Sequence, residues 1–263
     1  MPIFNTQDTS LYYEIRKARS SNHHPTPIIF LHGAGGNSAS WFNQLAFFSE
    51  KFDCIAPDQR GFGRSKSITS NLTVEQFSND LIDLLDHFKI PKVHLVGQSM
   101  GGYTALRCTV DAPERVESLI LSCSNGMIDH RNDASLTPGF DAIKKRTEND
   151  VPWGWSKKSQ KNLKLLELYG VIQNFNQNII SGQNVFQRRC IDLIALKDLK
   201  KIKCPTLILS GEDDPLFPEK LLTKCASLFP NGHHIMLEGV GHSPYFENPK
   251  AFNEVLLDQI SST

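Results

Sequence analysis

The sequence predicts an α/β protein built on a largely parallel sheet, because short apolar runs alternate with helix-length amphipathic stretches. This alternation is typical of strand–helix–strand units, in which the helices cover the faces of a parallel sheet. The clearest apolar runs are Pro27–Leu31, Cys54–Ala56, Val93–Val96, Leu119–Leu121 and Thr206–Leu209.

The clearest helical pattern is 73–88, where apolar residues recur at threes and fours. Its apolar positions are Val74, Phe77, Leu81, Leu84, Leu85 and Phe88. Thr73 is the expected N-cap, with Gln76 at the capping-box position. Nearer the start, Leu11–Ile15 is expected to form an antiparallel hairpin at an edge of the sheet.

The alternation stops between residues 125 and 201, which hold two of the three tryptophans and long polar stretches. This segment is predicted to be helical and to pack over the sheet as an insertion. The sequence therefore predicts a core made of residues 1–124 and 202–263, with residues 125–201 inserted in it.

The charge balance limits the kinds of partner that the protein is expected to bind, and the cysteine content indicates its cellular compartment. The 28 Lys and Arg balance 28 Asp and Glu among 263 residues, which excludes a sequence-wide basic surface for nucleic acid. No secretory signal or membrane-spanning run is recognised, so no membrane partner is expected. The six cysteines lack a Cys-x-x-Cys pair, which favours reduced thiols and a cytoplasmic protein.

The motif with the most specific chemistry is Gly97-Gln98-Ser99-Met100-Gly101, between an apolar run and a helical stretch. A Gly-x-Ser-x-Gly sequence in this context predicts a nucleophile elbow, a strained strand-to-helix turn that exposes the serine. The glycines are needed because side chains would collide across so tight a turn. Ser99 is the predicted nucleophile.

A second glycine-rich loop, His32–Gly36, ends the run Pro27–Leu31. Together with the elbow it predicts an oxyanion hole formed by the backbone N–H groups of Ala34 and Met100. The loop lacks the glycine order of a phosphate-binding site. His32 is expected to be a structural hydrogen-bonding residue.

The acid and the base are expected after the last two strands. Gly211-Glu212-Asp213-Asp214-Pro215 follows the run Thr206–Leu209, and Asp214 is preferred to Asp213 as the carboxylate that orients a histidine. His242, between Gly241 and Ser243, completes the chain order Ser, Asp, His. The rivals His233 and His234 stand at the start of the preceding strand, at the wrong end of the sheet. No metal site or cofactor is predicted.

These motifs together resemble the α/β-hydrolase fold superfamily. A further marker, Asp58–Ser65, is similar to the family's Asp-x-Arg-Gly-x-Gly-x-Ser, with Arg60 and the glycines shaping a turn. The resemblance implies about eight mostly parallel strands and a helical cap inserted after the sixth strand, where residues 125–201 fall. Ser99 argues against epoxide hydrolases and haloalkane dehalogenases, which carry Asp at the elbow.

The resulting hypothesis is a serine hydrolase that cleaves a small ester, lactone or related acyl substrate through an acyl-enzyme. Two alternatives keep the triad: a C–C bond hydrolase of the meta-cleavage product type or an acyltransferase, and a ligand receptor with little turnover. The expected partner is a small acyl compound, and the sequence indicates no particular oligomeric state. The candidate pocket residues, for which ordinary core packing is at least as good an interpretation, are Trp41, Phe140, Trp153, Trp155, Phe175, Phe186 and Phe217.

Overall fold

The structure is a computed structural model, and it shows a single sheet with helices on both faces, which confirms the predicted α/β class. The residues that it describes are 2–6, 9–22, 24–66, 72–131, 133–137, 139, 141, 154–176 and 193–262.

The sheet is mostly parallel. Its strands are Ile3–Asn5 (β1), Ser10–Arg16 (β2), His24–Leu31 (β3), Phe52–Pro57 (β4), Val93–Gln98 (β5), Val116–Ser122 (β6), Thr206–Gly211 (β7) and Gly232–Leu237 (β8). Their order is β1-β2-β4-β3-β5-β6-β7-β8. The pairs β1–β2 and β2–β4 are antiparallel, and all the others are parallel. The expected number of strands and the N-terminal hairpin are thus confirmed.

The direction of the strands gathers the predicted motifs at one edge. The carboxyl ends of β3 to β8 point the same way, and the loops after them line a common rim. The glycine-rich loop follows β3 and the predicted elbow follows β5. The loop with the predicted acid follows β7, and residues 238–243, called the base loop after the role predicted for His242, follow β8. His233 and His234 lie at the opposite end, at the start of β8.

The α-helices connect these strands or follow the last of them. They are Phe42–Phe48 (α1), Val74–His87 (α2), Met100–Asp111 (α3), Leu163–Gln173 (α4), Leu196–Leu199 (α5), Glu219–Ala226 (α6), Pro244–Glu247 (α7) and Pro249–Ser261 (α8). Short 3-10 helices span Ser38–Trp41, Pro113–Arg115 and Ser159–Lys161. In the described part of the chain, no helix combines the length and the apolarity that a bilayer crossing requires.

The core forms two layers because side chains alternate between the faces of each strand. In β3, Ile29 and Leu31 pack with α2, α3 and α6 on one face. Ile28 and Phe30 pack with α1 and α8 on the other. All four side chains are at most 1% exposed, so β3 holds the glycine-rich loop rigidly from both sides.

Helix α2 begins and ends where the sequence predicts. The Thr73 hydroxyl oxygen accepts a hydrogen bond from the Gln76 backbone N–H at 3.1 Å, which satisfies one unpaired amide of the first turn. Phe88 is the C-cap. The predicted N-cap is therefore confirmed.

A buried ion pair holds the turn that follows β4. Arg60 donates through Nε to Oδ2 of Asp80 at 2.6 Å and through Nη2 to Oδ1 at 2.5 Å. Gly63 has a φ of +54°, and a Cβ there would overlap the Asp58 carboxylate. The role predicted for Arg60 and the glycines, which is to shape this turn, is confirmed.

The stretch between β6 and β7 contains helices α4 and α5, and its two ends are joined. The Ile194 N–H donates to the Met127 carbonyl at 2.9 Å, and the Asp129 N–H donates to the Ile194 carbonyl at 2.8 Å. Helix α4 agrees with the predicted helical character, and a cap between β6 and β7 is compatible with this arrangement. The division at residues 125 and 201 stays a prediction.

Acid sensitivity is expected from His94, a buried histidine in β5. Its Nδ1 lies 2.8 Å from the Ser118 hydroxyl, and its Nε2 has no hydrogen-bond partner among the described residues. Burial, with a smaller contribution from His24, lowers the pKa of His94 from 6.5 to about 4. The unfolded chain therefore binds this proton first, and stability falls as the pH drops from about 6.5 to about 4.

At about 1.4 kcal/mol per pKa unit, His94 accounts for about 3 kcal/mol of unfolding free energy lost between pH 7 and pH 4. We expect His94→Gln to remove this part of the pH dependence, measured by urea unfolding at both pH values. His233→Gln, at an exposed histidine, should keep the wild-type dependence. An unchanged slope in His94→Gln would contradict the assignment.

Candidate active site

Ser99 lies at a sharp turn between β5 and α3. Its φ of 51° and ψ of −114° are unusual for a non-glycine residue, and such strain is characteristic of a nucleophile elbow. A Cβ at Gly97 would overlap the Gly101 carbonyl, and a Cβ at Gly101 would overlap the Leu31 carbonyl. The turn therefore requires both glycines, for the steric reason predicted.

The backbone of Ser99 is fastened on both sides. Its N–H donates to the Ser122 carbonyl at 2.9 Å, and its carbonyl accepts from the Ser124 hydroxyl at 2.7 Å. Ser99 is 9% exposed and precedes the first turn of α3. Met100 is the first residue of α3, where a backbone N–H has no acceptor within the helix, so this amide is suited to bind an oxyanion.

His32 fixes the glycine-rich loop after β3 through contacts of both its ring nitrogens. His32 Nδ1 lies 2.8 Å from the Gly33 carbonyl, and its Nε2 accepts from the Gln59 N–H at 2.9 Å. These contacts require a neutral ring with the proton on Nδ1, and burial accordingly lowers the pKa of His32. The structural hydrogen-bonding role predicted for His32 is confirmed.

Gln59 ties this loop to the helix of the elbow. Its side-chain amide donates to the His32 carbonyl at 2.7 Å, and its oxygen accepts from the Thr104 hydroxyl on α3 at 2.5 Å. Ala34, which carries the other predicted oxyanion donor, is half-buried in the same loop. The positions of Ala34 and Met100 are therefore linked through a short hydrogen-bonded path.

Asp214 and His242 form a hydrogen-bonded pair at the same rim. His242 Nδ1 lies 3.0 Å from Asp214 Oδ2, and the Asp214 side chain is fully buried. Asp214 Oδ1 accepts from the N–H groups of Leu216 and Phe217 at 2.8 and 3.2 Å. The carboxylate is thus fixed, and it orients the ring so that Nε2 is left for other chemistry.

The alternatives for the acid and the base are separated from this pair. Asp213 is half-buried, and its N–H donates to the Val240 carbonyl at 2.9 Å. His234 contacts the Ser210 and Thr223 hydroxyls, at 2.9 and 3.1 Å. The hydrogen bond to His242 thus favours Asp214 over Asp213 as the acid.

Gln98, immediately before Ser99, makes contacts that no sequence motif predicts. Its side-chain amide donates to the His242 carbonyl at 2.9 Å, and a Cβ at Gly33 would overlap its oxygen. Gln98 therefore touches both the base loop and the glycine-rich loop. Only the pairing of distant loops reveals this role, and no local signal in the sequence could have found it.

The Asp214–His242 pair and a neighbouring cysteine bring together three side-chain atoms of types that can bind a metal ion. In the described part of the chain, one such group occurs, with atoms of Cys123, Asp214 and His242 within 4.8 Å of one another. Burial, and then the Asp214 carboxylate, raises the pKa of the Cys123 thiol well above its usual value. The Cys123 thiol donates to the Gly241 carbonyl at 3.8 Å, so it has a hydrogen-bond partner in the loop that carries His242.

The candidate pocket residues have different surroundings. The Phe217 ring stacks on His242 at 5.6 Å with an angle of 12° between the planes. Trp155 is half-buried and packs edge-on against Tyr169 at 4.8 Å. Trp41 is fully buried, and its ring lies 4.3 Å from that of Tyr245. Core packing, the other interpretation given for this residue, therefore describes its surroundings. Phe140, Trp153 and Phe186 lie outside the described residues, and Phe175 is 45% exposed at the end of α4.

Comparison with known proteins shows that this chain is similar to hydrolases. A family model described as alpha/beta hydrolase fold matches residues 26–157 and 143–249. A relative from Pantoea ananatis, provisionally named carbamate hydrolase RutD, is 28% identical over 94% of this chain and 92% of its own length. The 3-oxoadipate enol-lactonase 2 of Acinetobacter baylyi is 25% identical over 97% of both chains.

A solved structure agrees with the fold. The enol-lactonase from Burkholderia xenovorans LB400 superposes with a TM-score of 0.80 at 21% identity, covering 99% of this chain and 100% of that one. This likeness confirms the arrangement of the strands and helices.

Proposed function

The chain belongs to the α/β hydrolase fold family and is a hydrolase, and on that premise we propose that it cleaves a small ester, lactone or related acyl compound. The proposed triad is Ser99, His242 and Asp214. The observation that carries the proposal is the fixed Asp214–His242 hydrogen bond at the rim where the strained elbow presents Ser99. The names of the relatives, a carbamate hydrolase and an enol-lactonase, support an acyl substrate.

In the proposed mechanism, Ser99 Oγ attacks the carbonyl carbon of the substrate while His242 Nε2 accepts the hydroxyl proton. The N–H groups of Ala34 and Met100 bind the oxyanion, and a donor in such a site is worth roughly 3–4 kcal/mol. His242 then gives the proton to the leaving oxygen or nitrogen as the carbonyl reforms. A water molecule then attacks the acyl-enzyme carbonyl while His242 Nε2 takes its proton. As this second tetrahedral intermediate collapses, His242 returns the proton to Ser99 Oγ and the acid is released.

Asp214 contributes by stabilising the imidazolium that forms at each step. Its carboxylate already accepts two backbone N–H bonds, so it cannot turn away from the ring without losing them. We propose a cytoplasmic location as well, which the free thiols of the described cysteines support.

Covalent labelling tests the proposal. We expect a fluorophosphonate probe to attach once per chain, to map to the peptide containing Ser99, and to abolish hydrolysis of p-nitrophenyl esters, lactones or aryl carbamates. The esters are supplied as a chain-length series, which measures the size of the acyl pocket. Labelling at another residue, or full activity after labelling, would contradict the triad.

The same assay separates the alternatives that use this triad. Products formed with an added alcohol or thiol distinguish an acyltransferase from a hydrolase. Probe labelling and tight ligand binding without turnover of any member of the panel would favour the receptor alternative over hydrolysis of this substrate class.

A further inference from the structure

Glu247, the last residue of α7, binds backbone amides from two separate parts of the chain. Its Oε1 accepts from the N–H groups of Gly241 at 3.0 Å and Ser243 at 3.2 Å, which flank His242. Its Oε2 accepts from the Ser156 N–H at 3.0 Å. One half-buried carboxylate therefore holds both sides of the base loop and a segment of the predicted cap.

That segment, residues 154–156, is called the strap here, and it lies directly on the base loop. The His242 N–H donates to the Gly154 carbonyl at 2.5 Å. A Cβ at Gly241 would overlap the Gly154 carbonyl, and a Cβ at Gly154 would overlap the His242 Cβ. The two backbones are in contact, which only glycine permits at both positions.

The backbone of His242 is consequently held from two directions. Its N–H is bound by the strap, and its carbonyl accepts from the Gln98 amide at 2.9 Å. Glu247 fixes the residues before and after it. Ring orientation is set by Asp214, whereas the position of the whole residue is set by these backbone contacts.

The Glu247 carboxylate binds these three backbone amides with its two oxygen atoms. Among the described residues, no Lys or Arg forms an ion pair with it. Hydrogen bonds to a carboxylate are about twice as strong as those between neutral groups. Three such bonds to two segments make a rigid connection between them.

We propose that Glu247 is a positioning residue that couples the strap to His242, so that the base is placed for catalysis only when the strap is seated on its loop. This inference rests on the proposed role of His242 as the base. Glu247 touches neither the substrate nor the reacting atoms, and it acts through the backbone of the base loop.

Glu247→Gln tests the coupling, because the amide keeps the size of the side chain but replaces one acceptor oxygen with a donor. Since a misplacement of about 1 Å at a catalytic group costs on the order of 100-fold, we expect kcat for an activated ester to fall by roughly 10- to 100-fold. KM should change by less than about threefold, because the acyl pocket is not altered. Glu254→Gln, at an exposed carboxylate on α8, should keep wild-type kcat.

Gly154→Ala tests the same coupling by changing the strap, and it leaves Glu247 intact. The added methyl would overlap His242, so kcat should again fall at least about 10-fold by misplacement of the base. Gly170→Ala, in α4 with nothing within 4 Å of the new methyl, is the matched control and should keep wild-type kcat. If Glu247→Gln does not fold, Gly154→Ala and its control Gly170→Ala test the coupling instead. A wild-type kcat in Gly154→Ala would then overturn the proposal.

A double-mutant cycle distinguishes positioning from a general loosening of the site. In a His242→Ala background, Glu247→Gln should change the residual hydrolysis of p-nitrophenyl acetate by less than about twofold, because the group it acts through is gone. A further 10-fold loss, or wild-type kcat in the single variant, overturns the coupling. If the wild-type protein itself resists the fluorophosphonate probe, the proposed function fails instead.

Discussion

Ser99→Ala is expected to lower kcat/KM for an ester substrate by about 10⁵- to 10⁶-fold, the scale seen when the nucleophile of a serine triad is removed. The reason is chemical, because alanine has no oxygen with which to form the acyl-enzyme. The residual rate comes from the oxyanion donors, which still polarise the substrate carbonyl. Steady-state hydrolysis measures the loss of activity, and fluorophosphonate labelling independently measures the loss of the nucleophile.

The fold should survive this substitution. Ser99 is held through its backbone N–H and carbonyl, and alanine keeps both. The thermal unfolding midpoint should stay close to that of the wild type. Ser227→Ala, at an exposed serine after α6, should keep full activity and labelling. Labelling of the Ser99→Ala protein at the wild-type rate would show that another residue is the nucleophile.

Asp214→Asn is expected to lower kcat by about 10⁴-fold, the effect known for this change in serine-protease triads. The side-chain oxygen should stay with the Leu216 and Phe217 amides, which already bind Oδ1. The new NH₂ group would then face His242 Nδ1, which could only accept a hydrogen bond from it. The ring would take the tautomer with a proton on Nε2, and this form cannot accept the proton of Ser99.

Asp213→Asn is the matched control, since the neighbouring carboxylate undergoes the same change. Asp213 has a backbone contact to Val240, and the variant keeps that amide. Because the carboxylate that His242 contacts is that of Asp214, kcat of Asp213→Asn should stay within about twofold of the wild type. Measuring kcat across pH 6–9 for both variants gives the comparison. A larger loss in Asp213→Asn than in Asp214→Asn would reverse the assignment of the acid.

The parts of the site that the sequence predicts are those set by local backbone geometry. Ser99 between Gly97 and Gly101 specifies a tight turn without knowledge of any distant residue. Local sequence does not specify the acid in the same way, because Asp213 and Asp214 stand at the same turn. Only the pairing of the β7 and β8 loops shows which carboxylate reaches His242.

The parts that could not be predicted depend on contacts between distant segments. Gln98 has an ordinary polar side chain whose partners, His242 and Gly33, are fixed only by the assembled sheet. Glu247 similarly holds amides on Gly241 and Ser156. The repeated strand–helix pattern predicts the fold class, because it is a local periodicity. The core position of Trp41 depends on distant neighbours such as Tyr245, which no local pattern specifies.

The gathering of the loops after β3, β5, β7 and β8 at one rim has a consequence for folding. The proposed nucleophile, acid and base come from segments far apart in the chain, and parallel pairing of distant segments is slow to form. A partly folded chain in which β7 or β8 has not paired cannot bring the three proposed triad residues together. Recovery of hydrolysis after denaturation should therefore report the last pairing of strands, later than the return of helical signal.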